Sequence, residues 1–270
     1  MSRDEARPHG IEGQADTNTM LGKALELVRM LSIRPQGMGT REASRLSGID
    51  KSAVSRILGQ LERHGWVERQ SESEKYRPGQ ALYAIGAALR HNDDIWNCAR
   101  DQLVRLNELY DETVYITRRM GDSIVFRDKV ESSQAVRHVV DLGVPFPLTS
   151  GGASATAILS VLSAAEQRRI LRKGIQRHSI KSVVDPIEFK RMLDADRARG
   201  YSLSLGRWAE NAGGVSSPYF DAKGVCLGTV TLSCPLFRLE KMDVAELGAA
   251  VREAANTISV RFGYSEGVGD

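Results

Sequence analysis

The sequence predicts an α+β protein in two parts: a small N-terminal helical domain that ends in a β-hairpin, and a larger C-terminal domain with a central, mostly antiparallel sheet and flanking helices. Three observations support this fold class. Apolar residues recur at helical spacing between residues 19 and 63. From residue 113 onward, short stretches alternate apolar and polar residues as strands do. At 270 residues, the chain is also long enough for two domains.

The overall composition is that of an ordinary globular protein, with 41% hydrophobic and 26% charged residues. No run of 18 apolar residues occurs, and the first 19 residues mix both charges without an apolar stretch. Neither a membrane span nor a secretory signal is therefore expected, and the predicted location is cytoplasmic. Cys98, Cys226 and Cys234 are too widely spaced for a disulfide framework or a zinc site. No cofactor or metal is expected.

Periodicity and composition divide the chain into five segments. The first 18 residues are polar and aperiodic, so they are expected to form a flexible tail. A helix predicted at Gln80–His91 connects the two domains and packs either on a second subunit or within its own chain. The predicted segments are 1–18 (tail), 19–78 (small domain), 79–93 (linker helix), 94–264 (C-terminal domain) and 265–270 (tail).

The small domain is predicted to begin with a helix over Thr19–Ile33. Its apolar residues recur three and four positions apart, as on one side of an amphipathic helix. The side expected to be buried carries Leu21, Ala24, Leu25, Val28 and Leu31.

Two further helices joined by a tight turn are predicted in Thr40–Arg63. Gly48 falls in the turn, and Asp50 is placed to cap the second helix by accepting from its first free amides. Trp66–Arg69 and Lys75–Arg77 are expected to pair as a hairpin across a polar tip. Three helices followed by such a hairpin make a winged helix-turn-helix.

The start of the second of these helices would present hydroxyls and long cations to solvent, which is the character of a major-groove recognition helix. The expected base-reading residues are Lys51, Ser52, Ser55 and Arg56. The residues expected to fix register on phosphates are Arg41, Arg45, Arg69, Lys75 and Arg77. Residues 1–90 hold 14 Lys and Arg against 11 Asp and Glu, an excess compatible with DNA binding. A helical subdomain with a solvated charged face is the alternative.

The C-terminal domain is predicted to mix both kinds of element. Its helices are predicted at Asp94–Asp111, Ala164–Lys173, Pro186–Arg199 and Asp243–Phe262, with an Ala-rich helix near residue 155. Its strands are predicted at Thr113–Arg118, Ser123–Val130, Val136–Asp141, Tyr201–Leu205 and Val225–Ser233.

Two glycine- and serine-containing loops and one strand with a hydroxyl face are predicted to converge on a small polar pocket. The first loop, Thr149–Ser154, leads into the Ala-rich helix, whose free amides form a natural anion site. The second loop is Asn211–Ser217. Buried hydroxyls need partners, which favours a pocket for a compact carboxylate or hydroxylated ligand. The expected ligand-binding residues are Thr149, Ser150, Gly151, Gly152, Ser154, Asn211, Ser216, Thr229, Thr231 and Ser233.

No arrangement typical of catalysis is present in the sequence. None of the five histidines lies in a Gly-x-Ser-x-Gly or His-Glu-x-x-His motif. Gly151-Gly152 is not followed by a lysine at the spacing of a phosphate-binding loop. His138 is interpreted as a hydrogen-bonded structural histidine in its predicted strand. The protein is not expected to be an enzyme, and no catalytic or metal-binding residue is predicted.

Several segments, in their order and spacing, resemble the IclR family of bacterial transcription regulators. They are LGKALELVRMLS, KSAVSRILGQLERHGWVER, YRPG, LYDETVYITRRMGDSIVF, GVPFPLTSGGAS, RARGYSLS, SSPYFDAKGVCLGTVTLS and ISVRFGY. The resemblance runs from about Leu21 to Tyr264. It implies a winged helix-turn-helix, a linker helix and a ligand-sensing domain, acting as dimers or dimers of dimers on palindromic DNA.

The sequence departs from the family's pattern in the pocket. Thr149 stands where the family usually has a histidine, and Ser154-Ala155 stands in place of a Gly-Lys pair. Asn211 and Gly214 stand at the positions of a family glycine and cysteine, and Arg207 lies near the position of an acidic residue. Arg207 would favour an anionic ligand if it points inward, and an outward, solvated Arg207 is the alternative.

Residues and resemblance together predict a ligand-responsive, DNA-binding transcription regulator. The expected form is a repressor whose operator binding is controlled by a small organic acid or related metabolite. An activator of the same architecture, or an architectural DNA-binding protein without an effector, is the alternative. The expected partners are a palindromic duplex, the small effector and a second copy of the chain, with no membrane.

Overall fold

The computed structural model describes residues 19–34, 36–91 and 94–265. These residues form two compact units, one N-terminal and ending before residue 94, the other C-terminal. The predicted tail at residues 1–18 and all but the first residue of the predicted tail at 265–270 lie outside the described residues. Within the ranges given, no helix has the length and apolar character needed to cross a membrane.

The N-terminal unit is a winged helix-turn-helix. Its elements are α1 (Met20–Ser32), α2 (Thr40–Ser47), α3 (Lys51–Arg63), β1 (Val67–Arg69), β2 (Tyr76–Pro78) and α4 (Gln80–His91). β1 and β2 pair antiparallel as the wing. Leu27 and Leu31 of α1 and Ile57 and Leu58 of α3 lie in one core, together with Met38. The predicted architecture of this part is confirmed.

The buried side of α1 differs from the prediction. Leu27 and Leu31 are buried, whereas Leu21 and Leu25 are 69% and 56% exposed. The helix carries two neighbouring apolar stripes, and the sequence pattern alone does not say which one faces α3. Packing on α3 and β2 selects the stripe that includes Leu27 and leaves Leu21 and Leu25 at the surface.

The C-terminal unit is built on one six-stranded sheet, and every strand pair in it is antiparallel. The strand order is β5-β4-β3-β8-β7-β6. The strands are β3 (Thr113–Met120), β4 (Ser123–Val130), β5 (Pro145–Pro147), β6 (Ser202–Leu205), β7 (Ala212–Phe220) and β8 (Cys226–Pro235). The helices are α5 (Asp94–Tyr110), α6 (Ala153–Val161), α7 (Ala164–Leu171), α8 (Pro186–Arg199), α9 (Leu236–Leu239) and α10 (Val244–Arg261).

The sheet separates two hydrophobic cores, because successive strand residues point to opposite faces. Val114 and Ile116 of β3 pack with α5 and α10 in one core. Tyr115, between them in sequence, packs with α6 and α8 in the other core, next to Phe126. The face that carries α6 is the one that holds the cavity described below.

Two predicted elements are wrong. Val136–Asp141 is not a strand, because the edge of β4 is occupied by β5 instead. The backbone N–H of Val140 donates to the Tyr115 hydroxyl at 2.8 Å rather than to a strand.

The predicted loop Asn211–Ser217 is also different, because most of it belongs to β7. Glycine suits the strand at Gly213, where a Cβ atom would lie 2.3 Å from Cδ2 of Leu239 on α9. The glycines therefore mark a close approach of helix to strand, and the sequence pattern was mistaken for a loop.

Candidate DNA-binding surface and effector cavity

The turn between α2 and α3 fixes the start of the candidate recognition helix. Gly48 ends α2 in the left-handed conformation, at φ 72°. The Asp50 carboxylate accepts from the Ser52 backbone N–H at 2.8 Å and from the Ser52 hydroxyl at 2.6 Å. The Ser52 hydroxyl bond, with the backbone amides of Ser52 and Ala53, holds the pKa of Asp50 below its ordinary value. The predicted cap is confirmed, and its carboxylate stays charged at the positive end of the helix dipole.

The first two turns of α3 divide sharply between core and solvent. Val54, Ile57 and Leu58 are buried against α1 and α2. The four predicted base-reading residues are all exposed, namely Lys51, Ser52, Ser55 and Arg56. The Ser52 hydroxyl donates to the Asp50 cap, so it can accept a hydrogen bond from a further partner but has no proton left to donate. This surface presents two cations and two hydroxyls at the N-terminal end of α3.

The five further predicted DNA-contacting cations lie on α2 and in the wing. Arg41 and Arg45 of α2 are exposed, as is Lys75 at the end of the wing. Arg69 pairs with Glu74 at 3.0 Å, and Arg77 pairs with Glu68, so both wing arginines have carboxylate partners within the hairpin. These pairs are largely solvated, and a phosphate would have to compete with the carboxylates for the guanidinium groups.

A cavity of about 60 Å³ lies in the C-terminal unit, at the N-terminal end of α6. It adjoins β7, β8 and the segment that precedes β7. Five of the ten predicted ligand-binding residues line it, namely Ser150, Gly152, Ser154, Thr231 and Ser233. Behind them, outside the lining, lie Thr149, Gly151, Ser216 and Thr229, all buried, whereas Asn211 is exposed at the surface.

The hydroxyl face of β8 is satisfied by a chain of hydrogen bonds that ends at the cavity. Ser154 on α6 bonds to Thr231 at 2.8 Å. Thr231 also bonds to Ser216 at 2.7 Å and Thr229 at 3.1 Å, and Thr229 bonds to Thr117 at 2.8 Å. Ser216 and Thr229 thus position the hydroxyl of Thr231 instead of facing the cavity.

The start of α6 supplies the cavity with backbone donors. Gly151 takes the left-handed conformation at φ 71°, and Gly152 is the N-cap without a side-chain hydrogen bond. Gly152 lies directly under Trp208, where a Cβ atom would sit 3.5 Å from the Cβ of Trp208. The uncapped first turn of a helix attracts negative charge, because its N–H groups have no partner within the helix.

Aromatic rings form the side of the cavity away from the hydroxyls. Phe146 packs edge-on against Phe126 at 5.8 Å and against Trp208 at 5.4 Å between ring centroids. His138 lies edge-on to Trp208 at 6.0 Å, and its Nδ1 lies 2.8 Å from the Ser233 hydroxyl. His138 is hydrogen-bonded, as the sequence interpretation had it, but that interpretation missed its position in the lining. Its neighbours are distant in sequence, so no local pattern could have placed it there.

Arg207 is next to Trp208 in sequence but does not line the cavity. Its guanidinium donates to the carbonyl of Leu203, and its Nε is buried. Burial lowers the pKa of Arg207, and the carboxylate of Asp196 acts in the opposite direction. A ligand in the cavity therefore does not meet this cation directly.

The two units match two family models. The model for the bacterial transcriptional regulator IclR C-terminal domain matches residues 87–260, and that for the IclR helix-turn-helix domain matches residues 20–71. The chain belongs to the IclR family. It is therefore a ligand-responsive, DNA-binding transcription regulator, and the resemblance and function predicted from the sequence are confirmed at that level.

Relatives of this IclR-family chain are similar over almost their whole length. The HTH-type transcriptional repressor AllR of Klebsiella pneumoniae is 29% identical over 265 residues, covering 96% of this chain and 97% of AllR. The HTH-type transcriptional regulator KdgR of Escherichia coli K12 is 27% identical over 270 residues, covering 95% and 97%. An IclR homologue from Microbacterium hydrocarbonoxydans, solved with 4-hydroxybenzoate, shares the fold with a TM-score of 0.78, at 20% identity over 90% of this chain and 99% of that one.

Proposed function

We propose that this regulator represses transcription as a homodimer on a palindromic operator, and that a small organic acid in the α6 cavity releases it. One observation carries the proposal. The same chain joins an exposed, capped recognition helix to a separate unit whose cavity ends at an uncapped helix N-terminus. The similarity to AllR, which is named as a repressor, supports repression rather than activation of transcription.

Base reading is assigned to the exposed start of α3. The residues proposed to enter the major groove are exposed at the N-terminal end of the helix, namely Lys51, Ser52, Ser55 and Arg56. The cations assigned to phosphates are Arg41, Arg45, Arg69, Lys75 and Arg77. Two such surfaces about 34 Å apart would match one turn of duplex, which is why the operator is proposed to be palindromic.

The homodimer is supported by apolar surface in the N-terminal unit. Leu21 and Leu25 of α1 are exposed, and so are Tyr83 at 66% and Ile85 at 43% on α4. Contiguous exposed apolar groups mark sites of protein contact. A second copy of the chain is the partner that a two-fold operator requires.

The effector is proposed to be a compact carboxylate with an apolar or aromatic body. The α6 N-terminus and the hydroxyls of Ser154 and Thr231 suit a carboxylate, and the rings of Phe146 and Trp208 suit the body. The complex of the Microbacterium homologue with 4-hydroxybenzoate supports this ligand class. The role proposed for these groups is binding rather than catalysis. Because the partner is duplex DNA, we place the protein in the cytoplasm.

The first test concerns the recognition helix. Duplexes selected from a random library would be titrated with wild-type protein and with the Arg56→Ala variant, with binding followed by fluorescence anisotropy. Loss of a base contact of this kind costs about 1–3 kcal/mol, so we expect specific affinity to fall about 10- to 100-fold. Arg63→Ala, at the exposed end of the same helix, is the control and should bind as wild type. If the Arg56→Ala variant bound the selected duplexes with wild-type affinity, the assignment of base reading to α3 would be wrong.

The second test concerns the effector. Small aliphatic and aromatic carboxylates would be screened by thermal shift, and the acids that stabilise the protein would be added to its complex with the operator. We expect release of DNA by those acids. Ser154→Ala should weaken acid binding about three- to tenfold, the value of one hydrogen bond. Asn211→Ala, on the exposed side, should not change it. Stable DNA binding with no response to any acid would favour the architectural alternative.

A further inference from the structure

The cavity has an unusual charge balance for an anion site. Apart from His138, the residues described as lining it carry only aliphatic, aromatic, glycine and hydroxyl groups. The guanidinium of Arg207 is turned to the Leu203 carbonyl, away from the lining. A carboxylate bound there would meet the partial charge of the α6 N-terminus and one group able to gain a full positive charge, the imidazole of His138.

Hydrogen bonding orients that imidazole toward the cavity. The Ser233 hydroxyl donates to the carbonyl of Gly213 at 3.3 Å, and a carbonyl can only accept. The 2.8 Å contact between His138 Nδ1 and Ser233 Oγ is then satisfied when Nδ1 carries the proton and donates. In this tautomer, which follows from directing the Ser233 proton to Gly213, Nε2 of neutral His138 is the basic nitrogen, and it makes no hydrogen bond with any residue in the described ranges.

The surroundings of His138 favour its neutral form while the cavity is free of anions. Burial lowers the pKa of His138 and is the single cause of the shift, so no nearby charged side chain contributes. The Tyr115 hydroxyl, 3.4 Å from the His138 carbonyl, is itself kept neutral, because burial raises the pKa of Tyr115 to about 12. The other titratable ring beside Trp208 is that of His178, which is exposed and 6.4 Å from Trp208.

Building on the function proposed above, we propose that His138 is the residue that selects an anionic effector, by taking up a proton at Nε2 and donating it as a hydrogen bond to the effector's carboxylate. The proton comes from solvent and stays on the imidazole while the acid is bound. Binding thus converts a neutral ring and an anion into a hydrogen-bonded ion pair beside the α6 N-terminus. A neutral amide of the same shape would gain no such partner.

Proton uptake fixes the sign of the pH dependence. A carboxylate beside the ring raises the pKa of His138 above its value in the free protein. Between those two pKa values, binding takes up a proton and affinity falls about tenfold for each pH unit of increase. Below the pKa of the free protein, where His138 is already charged, affinity no longer depends on this group.

The test uses formate, the smallest carboxylate, and benzoate as probes on the full-length protein. The titration of His138 would be followed by NMR of its ring protons with either acid or with chloride at the same ionic strength. We expect the His138 midpoint to rise with the acids and not with chloride. Calorimetry in buffers of different ionisation enthalpy would count the proton taken up. His138→Gln, which keeps a donor for Ser233, should bind benzoate with a pH-independent affinity and lose the preference for benzoate over benzamide.

His178→Gln is the matched control, since both histidines contact Trp208 and only His138 lines the cavity. It should retain the wild-type pH dependence. Acid binding with an unchanged His138 midpoint and no proton uptake would overturn the role of His138 and leave the proposed effector class intact. Failure of both acids to perturb the cavity would overturn the effector class together with this role. The NMR measurement needs no variant, so a poorly folded His138→Gln protein would not prevent the decision.

Discussion

The contribution of an ion pair to the stability of this protein depends on how deeply its side chains are buried. The carboxylate of Glu112 is 1% exposed and forms two hydrogen bonds to the guanidinium of Arg238, one from Nε and one from Nη2. Arg105 and Glu253 form a pair of the same chemistry at 3.0 Å, but both side chains are about half exposed. The first pair is held in a low-dielectric environment and the second is screened by solvent.

This contrast predicts unequal effects of the same substitution. Arg238→Ala leaves the buried charge of Glu112 without a partner, so we expect the free energy of unfolding to fall by about 3–5 kcal/mol. Arg105→Ala should cost less than about 1 kcal/mol. Urea unfolding of both variants at neutral pH measures the difference. Equal losses would show that the burial of Glu112 does not govern its energetics.

At the scale of elements, glycines have opposite roles in the two units. Gly228 in β8 faces the backbone of β3, where a Cβ atom would lie 2.0 Å from the carbonyl oxygen of Thr117. At Gly59, in the middle of α3, a Cβ atom would have no atom of the described residues within 4 Å apart from the nearby backbone of its own helix. The first glycine is required by the spacing of two strands, and the second only adds flexibility to a helix.

The same Gly→Ala change should therefore have opposite signs at the two positions. Gly228→Ala forces β8 away from β3 and is expected to destabilise the C-terminal unit by about 1–3 kcal/mol or more. Gly59→Ala should stabilise the N-terminal unit by about 0.5–1 kcal/mol, because alanine loses less backbone entropy in a helix. Thermal unfolding of each variant against wild type decides both signs, and a destabilised Gly59→Ala protein would contradict this account of α3.

For the whole molecule, the proposed DNA contact predicts a strong response to salt. Phosphate neutralisation by several cations releases counterions, so the logarithm of operator affinity should fall linearly and steeply with the logarithm of salt concentration between about 50 and 200 mM. Arg41→Ala should reduce the slope by about 1 for each phosphate contact that is lost. Arg100→Ala, exposed on α5 in the other unit, should leave the slope unchanged. A flat salt response of the wild-type protein would exclude the basic surface from the complex.

The N-terminal unit was largely predictable because its signals are local. The αL glycine at Gly48, the Asp50 cap and the exposed residues of α3 depend on contacts within a few positions along the chain. The same holds for α10, whose start was predicted at Asp243 and whose N-cap Asp243 accepts from the amides of Ala245 and Glu246. The buried side of α1 could not be predicted in this way, because the helix carries two stripes of similar apolarity and only the position of α3 determines which one is buried.

The sequence by itself determined the two-part α+β architecture, the capped α3 with its exposed N-terminal residues, and the family, since periodicity, caps and motif order are properties of neighbouring residues. Only the tertiary structure decided which hydroxyls face the cavity, that Arg207 turns away from it, and that His138 joins Ser233, 95 residues away in the chain. The physical reason is that these contacts join residues far apart in the sequence. The cavity is made by the packing of α6, strands β4 to β8 and two connecting segments, and those contacts exist only after the sheet has assembled.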